Sequence, residues 1–374
     1  MTIIRRPLRL KPRYALAGII VALSLCLAST FRLLRTSYAH GFRNAKARPL
    51  RIYDRYFGYH SAMTDIVIPG ALGPVQLRVY TPIGDTHPLP IVMVHGFAPN
   101  GNKDGYLNLV ANRLSQMGYV VVLPYVPAEA HYEMRATDLT VIGDAIRWSA
   151  HSTGEKVSVF GISFGAGLII PAAVQPSVTG DVGRYYLHDR VYDPNGKPYV
   201  GNPPGPLLIV SQYLGELVSP KDIPAMRREL DILNSNFDRT VGDNSTKETR
   251  TNPRDRKKLN ELQTADTPQM HQLYLDILTR HHAEMEAISP ISVLHNINVP
   301  LYILHGQDDP VFPEGEVEWM RKELAGNRNA HILVSPWIAH AFVGQPATQG
   351  ERLRVINFGA QLLYEASRPS PIAH

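Results

Sequence analysis

The segment that most constrains the fold is an apolar run that passes through a tight turn into a second apolar run. Residues 156–160 predict a buried strand, and they lead directly into Gly161-Ile162-Ser163-Phe164-Gly165. Small residues on both sides of Ser163 suit a sharp turn, because larger side chains there would collide with neighbouring backbone. The apolar stretch LIIPAA that follows predicts a helix. A serine placed between a strand and a helix in this way is typical of the G-x-S-x-G nucleophile elbow.

Short apolar runs alternate with amphipathic stretches from Leu50 onward, a rhythm typical of α/β proteins. With 44% hydrophobic and 19% charged residues, the 374-residue chain can bury a large core. Runs such as YVVVL favour a parallel sheet covered on both faces. The predicted elements are a hairpin at 66–68 and 75–80, strands at 89–96, 119–123, 206–213, 301–304 and 331–334, helices at about 104–117, 137–151, 268–288 and 314–325, and a strand–turn–strand excursion at 185–199.

Because the elbow motif lies between a predicted strand and a predicted helix, the chain resembles the α/β-hydrolase superfamily, over about residues 66–364. The resemblance implies an α/β-hydrolase fold, with a mostly parallel central sheet, helices on both faces and a helical cap insertion. It also implies that an acid and then a histidine follow the nucleophile along the chain.

Both partners of the nucleophile are found in that order. A predicted strand ends in the segment HGQDD at residues 305–309, which is similar to the superfamily's H-G-x-x-D segment. This alignment makes Asp309 the acid, with Asp308 as its rival. His340 follows the last predicted strand and is the candidate base. A triad of Ser163, His340 and Asp309 is therefore expected, in which the imidazole removes the serine proton and the carboxylate orients the imidazole.

The resemblance also implies two backbone N–H groups that stabilise an oxyanion. One belongs to Phe164, directly after the nucleophile. The other belongs to Phe97, or to the neighbouring Ala98, in the turn after the strand predicted at 89–96. His95, which opens that turn, is expected to be a structural turn residue.

The stretch between the elbow helix and the acid strand is longer than the core needs, so a helical cap is predicted there. His282 and Glu286 stand one helical turn apart, but no metal-binding motif accompanies them, and no metal site is predicted. No cofactor is predicted either, because neither a P-loop nor a G-x-G-x-x-G motif is present. The predicted organisation is a core over 61–213 and 291–366, a cap over 214–290 and a C-terminal tail over 367–374.

The N-terminal segment is basic and contains a long apolar run. Residues 1–51 carry 11 of the 38 Lys and Arg and no Asp or Glu, whereas the remainder carries 27 Lys and Arg against 33 Asp and Glu. Residues 14–31 hold no charge, and at 1.5 Å per residue they reach about 27 Å. We therefore expect a transmembrane signal-anchor at 14–34 between a basic tail at 1–13 and a basic linker at 35–60. The catalytic body would lie outside the cytoplasm, and a cleaved signal peptide with a secreted product is the alternative.

Several functional classes are excluded. The slightly acidic body lacks the basic surface that nucleic acid requires. Because Cys26 is the only cysteine, no intramolecular disulfide can form. Its place in the predicted anchor excludes a cysteine nucleophile of the dienelactone-hydrolase type.

We therefore expect a membrane-anchored serine hydrolase that cleaves a small-molecule or lipid carboxylic ester through an acyl-enzyme at Ser163. A thioesterase, an amidase or peptidase, an acyltransferase and a noncatalytic membrane-tethered binding module of the same fold stay open as alternatives. The sequence does not predict the oligomeric state.

Overall fold

The computed structural model describes residues 59–84, 88–174, 190–200, 205–230, 232, 253–263, 267–290, 293–309, 312–340, 342–343 and 346–367. The predicted basic tail and anchor, nearly all of the predicted linker, and the C-terminal tail after Ser367 lie outside these residues. Among the helices that the structure describes, none combines the length and the apolar character needed to cross a membrane.

A five-stranded sheet forms the larger part of the core, with its strands in the spatial order β1-β2-β4-β3-β5. The first two strands form the predicted antiparallel hairpin, and β2 also pairs antiparallel with β4. Strand β3 pairs parallel with both β4 and β5, so these three strands all end at one edge of the sheet. The strands are β1 (His60–Gly70), β2 (Gly73–Ile83), β3 (Leu89–Val94), β4 (Tyr119–Pro124) and β5 (Ser158–Gly161).

Helices cover both faces of this sheet because alternate residues of β3 and β4 point to opposite sides. One face buries Val92 and Val94 against α3 (Ala136–Thr153) and α4 (Phe164–Val174). The other face buries Ile91 and Met93 against α1 (Gly105–Gln116) and the C-terminal helix. Burial on both sides explains why these strands are apolar throughout rather than alternating. The short helix α2 (Pro127–Ala130) follows β4.

The C-terminal part supplies a second parallel pair, β8 (Leu301–Gly306) and β9 (Ala330–Ser335), joined by helix α11 (Gly315–Glu323). Both strands end close to predicted site residues, since Asp309 follows the first and His340 follows the second. The remaining elements here are β10 (Ile338–Ala339), β11 (Phe342–Val343), α12 (Gln349–Ser367) and a 3-10 turn at Leu294–Asn296; a similar turn lies earlier at Gly101–Lys103.

Helices of the predicted cap region at 214–290, together with helix α5 directly before it, pack around one apolar cluster, which includes Leu214, Leu259 and Ile277. They are α5 (Gly205–Gln212), α6 (Leu214–Leu217), α7 (223–230), α8 (Pro253–Gln263), α9 (Pro268–Arg280) and α10 (His282–Ile288). The predicted excursion at 185–199 contains the antiparallel strands β6 (Arg190–Tyr192) and β7 (Pro198–Val200).

The strand predicted at 206–213 is wrong, because this segment forms helix α5. Its side chains Ile209 and Val210 are fully buried in the cap cluster. An apolar run of this length fits a buried strand and a buried helix equally well, and only its packing partners decide. The helix predicted at 268–288 is divided into α9 and α10, which meet at His281.

The turn from β5 into α4 requires glycine for steric reasons. A Cβ atom at Gly161 would lie 2.4 Å from the Cα of Ala166, and one at Gly165 would lie 2.1 Å from the carbonyl oxygen of His95. The helix therefore approaches the end of β3 more closely than any residue with a side chain allows.

This close approach predicts unequal effects of alanine at two positions in the first turns of α4. We expect Gly165→Ala to destabilise the fold by about 2 kcal/mol or more, because backbone must move to accept the methyl group. The matched control is Gly167→Ala, whose added Cβ would meet no atom within 4 Å. It should leave the stability unchanged or raise it slightly, since alanine favours the helix. Denaturant unfolding of both variants measures the difference, and equal stabilities would contradict the proposed contact.

Candidate active site

Ser163 lies between β5 and α4, at the edge where the parallel strands end. Its backbone has a φ of 55°, in the left-handed region that non-glycine residues rarely adopt. This strained turn follows from the short connection between strand and helix, and it holds the hydroxyl above the sheet edge.

Three predicted residues come together at this point. The Ser163 Oγ lies 2.7 Å from Nε2 of His340, and Nδ1 of His340 lies 3.1 Å from each carboxylate oxygen of Asp309. The His340 side chain is 15% exposed and that of Asp309 only 3%. Asp309 also accepts the backbone N–H of Phe312 at 2.9 Å, which helps to hold its carboxylate in place.

The contacts determine which tautomer of His340 is compatible with the site. Because Asp309 can only accept a hydrogen bond when ionised, Nδ1 of His340 carries the proton and Nε2 offers its lone pair to the serine hydroxyl. This arrangement can deprotonate Ser163 as it attacks an electrophile and can stabilise the resulting imidazolium. Asp308, the rival acid, is exposed, and the structure brings Asp309 rather than Asp308 to the imidazole.

The loop that carries His340 also depends on a glycine. His340 has a φ of 47°, and a Cβ atom at Gly306 would lie 2.7 Å from the carbonyl oxygen of Ile338 and 3.4 Å from the backbone nitrogen of His340. Gly306 was not among the predicted site residues. Its position in the H-G-x-x-D segment was the signal that could have identified it.

The turn after β3 lies directly against the nucleophile. A Cβ atom at Gly96 would lie 2.7 Å from the Cβ of Ser163, so this residue also has to be glycine. The next residue, Phe97, stacks its ring on that of Phe164 with 4.0 Å between centroids. The two residues predicted to supply oxyanion-stabilising N–H groups are therefore neighbours in the structure.

His95 holds this turn from the buried side. Its Nε2 accepts the backbone N–H of Val126 at 3.2 Å, and its Nδ1 lies 2.7 Å from the carbonyl oxygen of Gly96. Because Nε2 accepts, the proton must be on Nδ1, which donates to Gly96. Burial lowers the pKa of His95, which favours the neutral ring that the contact with Val126 requires. The expectation that His95 is a structural turn residue agrees with these contacts.

Aromatic side chains that were not predicted line the approach to Ser163. Phe312 packs against Phe164 at 4.8 Å and against the His340 ring at 5.8 Å, and Tyr132 packs against Phe97 at 5.7 Å. No local motif marks either residue, because both lie in connecting segments whose position depends on the tertiary fold.

A small cavity extends from Phe97 and Tyr132 towards the cap helices. Its volume is about 10 Å³. Two polar side chains at its wall are already engaged: the Gln212 amide bonds to the backbone N–H and carbonyl of Met134, and the Glu284 carboxylate lies 3.4 Å from Arg135. The cavity therefore presents a mainly apolar surface. Its lining residues are Phe97, Tyr132, Met134, Ile209, Gln212, Tyr213, Glu284, Met285 and Ile288.

On helix α10, Nε2 of His282 lies 3.5 Å from a carboxylate oxygen of Glu286. Within the described ranges, no group of three or more His, Cys, Asp or Glu side chains is arranged to hold a metal ion.

Comparison with known proteins gives one family match. Residues 275–354 match the model of the dienelactone hydrolase family, a stretch that contains Asp309 and His340 but not Ser163. No curated protein sequence matches the chain.

Several solved structures are similar at low identity. Puromycin hydrolase is 14% identical with a TM-score of 0.47, over 83% of this chain and 40% of that protein. An esterase from Pyrobaculum calidifontis is 18% identical with a TM-score of 0.42, over 94% of each chain. An esterase from Pyrococcus furiosus is 13% identical with a TM-score of 0.42, over 81% of this chain and 90% of that one.

The family match lies in the part of the chain that carries the acid and the histidine, and the sheet with its two helical layers carries the serine turn. The partial family match and the contacts of Ser163, His340 and Asp309 together support a serine hydrolase with an α/β-hydrolase-like fold.

Proposed function

We propose that the protein hydrolyses a carboxylic ester through a covalent acyl-enzyme at Ser163. The observation that carries the proposal is the continuous line of contacts from the Ser163 hydroxyl through His340 to the buried carboxylate of Asp309. A module that only binds has no use for a nucleophile, a base and an acid in this order. The family match supports the ester class, since a lactone is a cyclic ester.

The reaction proceeds in two halves. In the first, Oγ of Ser163 attacks the ester carbonyl carbon while Nε2 of His340 takes the hydroxyl proton. The same proton then passes to the alcohol oxygen as the ester bond breaks, which leaves the acyl group on the serine. In the second half, a water molecule gives its proton to His340 and attacks the acyl carbon, and Ser163 recovers its proton as the carboxylic acid leaves.

Negative charge develops on the carbonyl oxygen in both halves of the reaction. The backbone N–H groups of Phe97 and Phe164 are the proposed donors to this oxygen. The positions of the two residues support this proposal. Phe164 directly follows Ser163, and Phe97 directly follows Gly96, which lies against Ser163. The start of helix α4 adds its positive dipole end.

The cavity favours a short acyl or alkyl group on the substrate. Its walls are mainly apolar, the side chains of Gln212 and Glu284 are engaged elsewhere, and its volume of about 10 Å³ accommodates little more than a methyl-sized group. The same three residues could cleave a thioester or an amide, or could transfer the acyl group to an alcohol in place of water. The choice of an ester therefore rests on the family match.

We also propose that residues 14–34 anchor the protein in a membrane, with the catalytic body outside the cytoplasm. The support is the 18-residue run without charge at 14–31 and the cations on both sides of it.

The triad is tested by covalent labelling of the full chain with a fluorophosphonate, followed by intact mass. We expect one label per chain, none on Ser163→Ala, and a rate lowered about a thousandfold or more in Asp309→Asn, because the imidazole loses its correct tautomer. The matched control is the adjacent Asp308→Asn, which should change the rate less than about threefold. Equal losses in the two Asp variants, or labelling of Ser163→Ala, would contradict the assignment.

The cavity is tested with p-nitrophenyl esters of increasing acyl length. We expect the wild type to favour acetate over octanoate, and Met285→Ala to raise kcat/KM for the longer ester relative to acetate by about tenfold, because it removes cavity wall. Met270→Ala serves as the control, since Met270 packs in the cap cluster without lining the cavity. An unchanged preference in Met285→Ala would argue against this position for the acyl group.

The anchor is tested by membrane fractionation of the full chain in a bacterial host. We expect it to stay with the membrane during alkaline carbonate extraction, because an apolar span of about 20 residues holds a protein there by itself. A chain starting at residue 41 should be released and keep its esterase activity. A full-length product lacking its first residues by intact mass would support the cleaved signal instead.

A further inference from the structure

A buried glutamate that the proposed reaction does not use lies behind the turn that follows β3. Glu129 is on helix α2, which follows β4, and its side chain has no solvent exposure. Its Oε2 lies 3.7 Å from Nδ1 of His95, and neither carboxyl oxygen has a hydrogen-bond partner among the residues that the structure describes. Burying an acid without hydrogen bonds lowers the stability of the fold, so we looked for a functional reason for its position.

The contacts of Glu129 and His95 fit two neutral groups better than an ion pair, because Nε2 of His95 accepts a hydrogen bond and neither oxygen of Glu129 receives one. Burial raises the pKa of Glu129 well above its usual value, and the nearby Asp138 raises it further. Burial lowers the pKa of His95 and outweighs the opposing effects of the hydrogen bond to the Gly96 carbonyl and of Asp104. Two other acids act on this pair. Asp138, at the start of α3, disfavours a charged carboxylate at Glu129, and Asp104, before α1, acts on the His95 ring.

The contact of His95 with Gly96 has a direct consequence for Phe97. The carbonyl of Gly96 and the N–H of Phe97 belong to one peptide group, and no cis peptide occurs in the described ranges. In a planar trans peptide the C=O and N–H point in opposite directions. By donating from Nδ1 to the Gly96 carbonyl, His95 therefore sets the direction of the Phe97 N–H, the proposed oxyanion donor.

We propose that Glu129 is a positioning residue for the oxyanion turn and that it acts, as a neutral acid, through His95. An ionised carboxylate 3.7 Å from Nδ1 would compete with the Gly96 carbonyl for the His95 proton. It would also place negative charge behind the N–H that has to stabilise an oxyanion. The protonated acid removes both problems, and the partial negative charge of its Oε2 beside Nδ1 still favours the tautomer of His95 that donates to Gly96. This inference rests on the proposed ester hydrolysis.

The test compares substitutions at Glu129 in the full chain, with p-nitrophenyl acetate as substrate. Glu129→Gln is neutral and of the same shape, so its kcat should stay within about twofold of the wild type. Glu129→Met has similar size but no polar group beside His95, and its kcat should fall at least about tenfold with little change in KM. Glu129→Asp keeps the acid but withdraws it by one methylene, and it gives the same expected loss if the Met variant does not fold.

The control is Glu229→Met in the cap, because Glu229 is also a buried acid, 5% exposed, but lies outside the site. It should change thermal stability without changing kcat. A wild-type kcat in Glu129→Met or Glu129→Asp, or a loss in Glu129→Gln as large as theirs, would overturn the inference. Ser163→Ala separates the two proposals: its retained activity would refute the ester hydrolysis, whereas an inactive Ser163→Ala beside fully active Glu129 variants refutes only the role of Glu129.

Discussion

The site depends on the contact between two backbone turns, one after β3 and one after β5. These strands are parallel neighbours, with Val94 opposite Gly161, so the turns that follow them must lie side by side. The contact is close enough that Gly96 and Gly165 have no room for a side chain. Because backbone atoms set this distance, it cannot relax by changing a rotamer, and it holds the serine and the proposed oxyanion donors in one fixed relation.

The other half of the site comes from a separate pair of strands. The acid and the histidine follow β8 and β9, and Gly306 lets the two loops approach each other. Asp309 is nearly buried, and its contacts with His340 and with the N–H of Phe312 provide the hydrogen bonds that an ionised carboxylate needs there. The site is therefore assembled from residues that follow the strands of two separate sheets.

Sequence reasoning was most successful where a residue's role follows from local geometry. The hairpin, the apolar strands and the elbow were predictable, because each restricts the residue types in a short segment. The hairpin requires alternation, the buried strands require apolar residues throughout, and the turn requires glycine. It failed at residues 206–213, where an apolar run folds as helix α5 against the cap cluster. It also could not choose between Asp308 and Asp309 without a motif, since the two are adjacent and chemically identical.

The sequence by itself determined the sheet with its two covered faces, the strained serine turn and the order of the serine, the acid and the histidine along the chain. These features depend on side-chain size, hydrophobic period and the sterics of glycine, which are properties of short segments. Only the tertiary structure decided that Asp309 contacts His340, that Phe312 and Tyr132 line the approach, and that Glu129 lies behind His95. Such contacts join segments distant along the chain, so no local pattern contains them, and they exist only once the packed core brings the strand ends together.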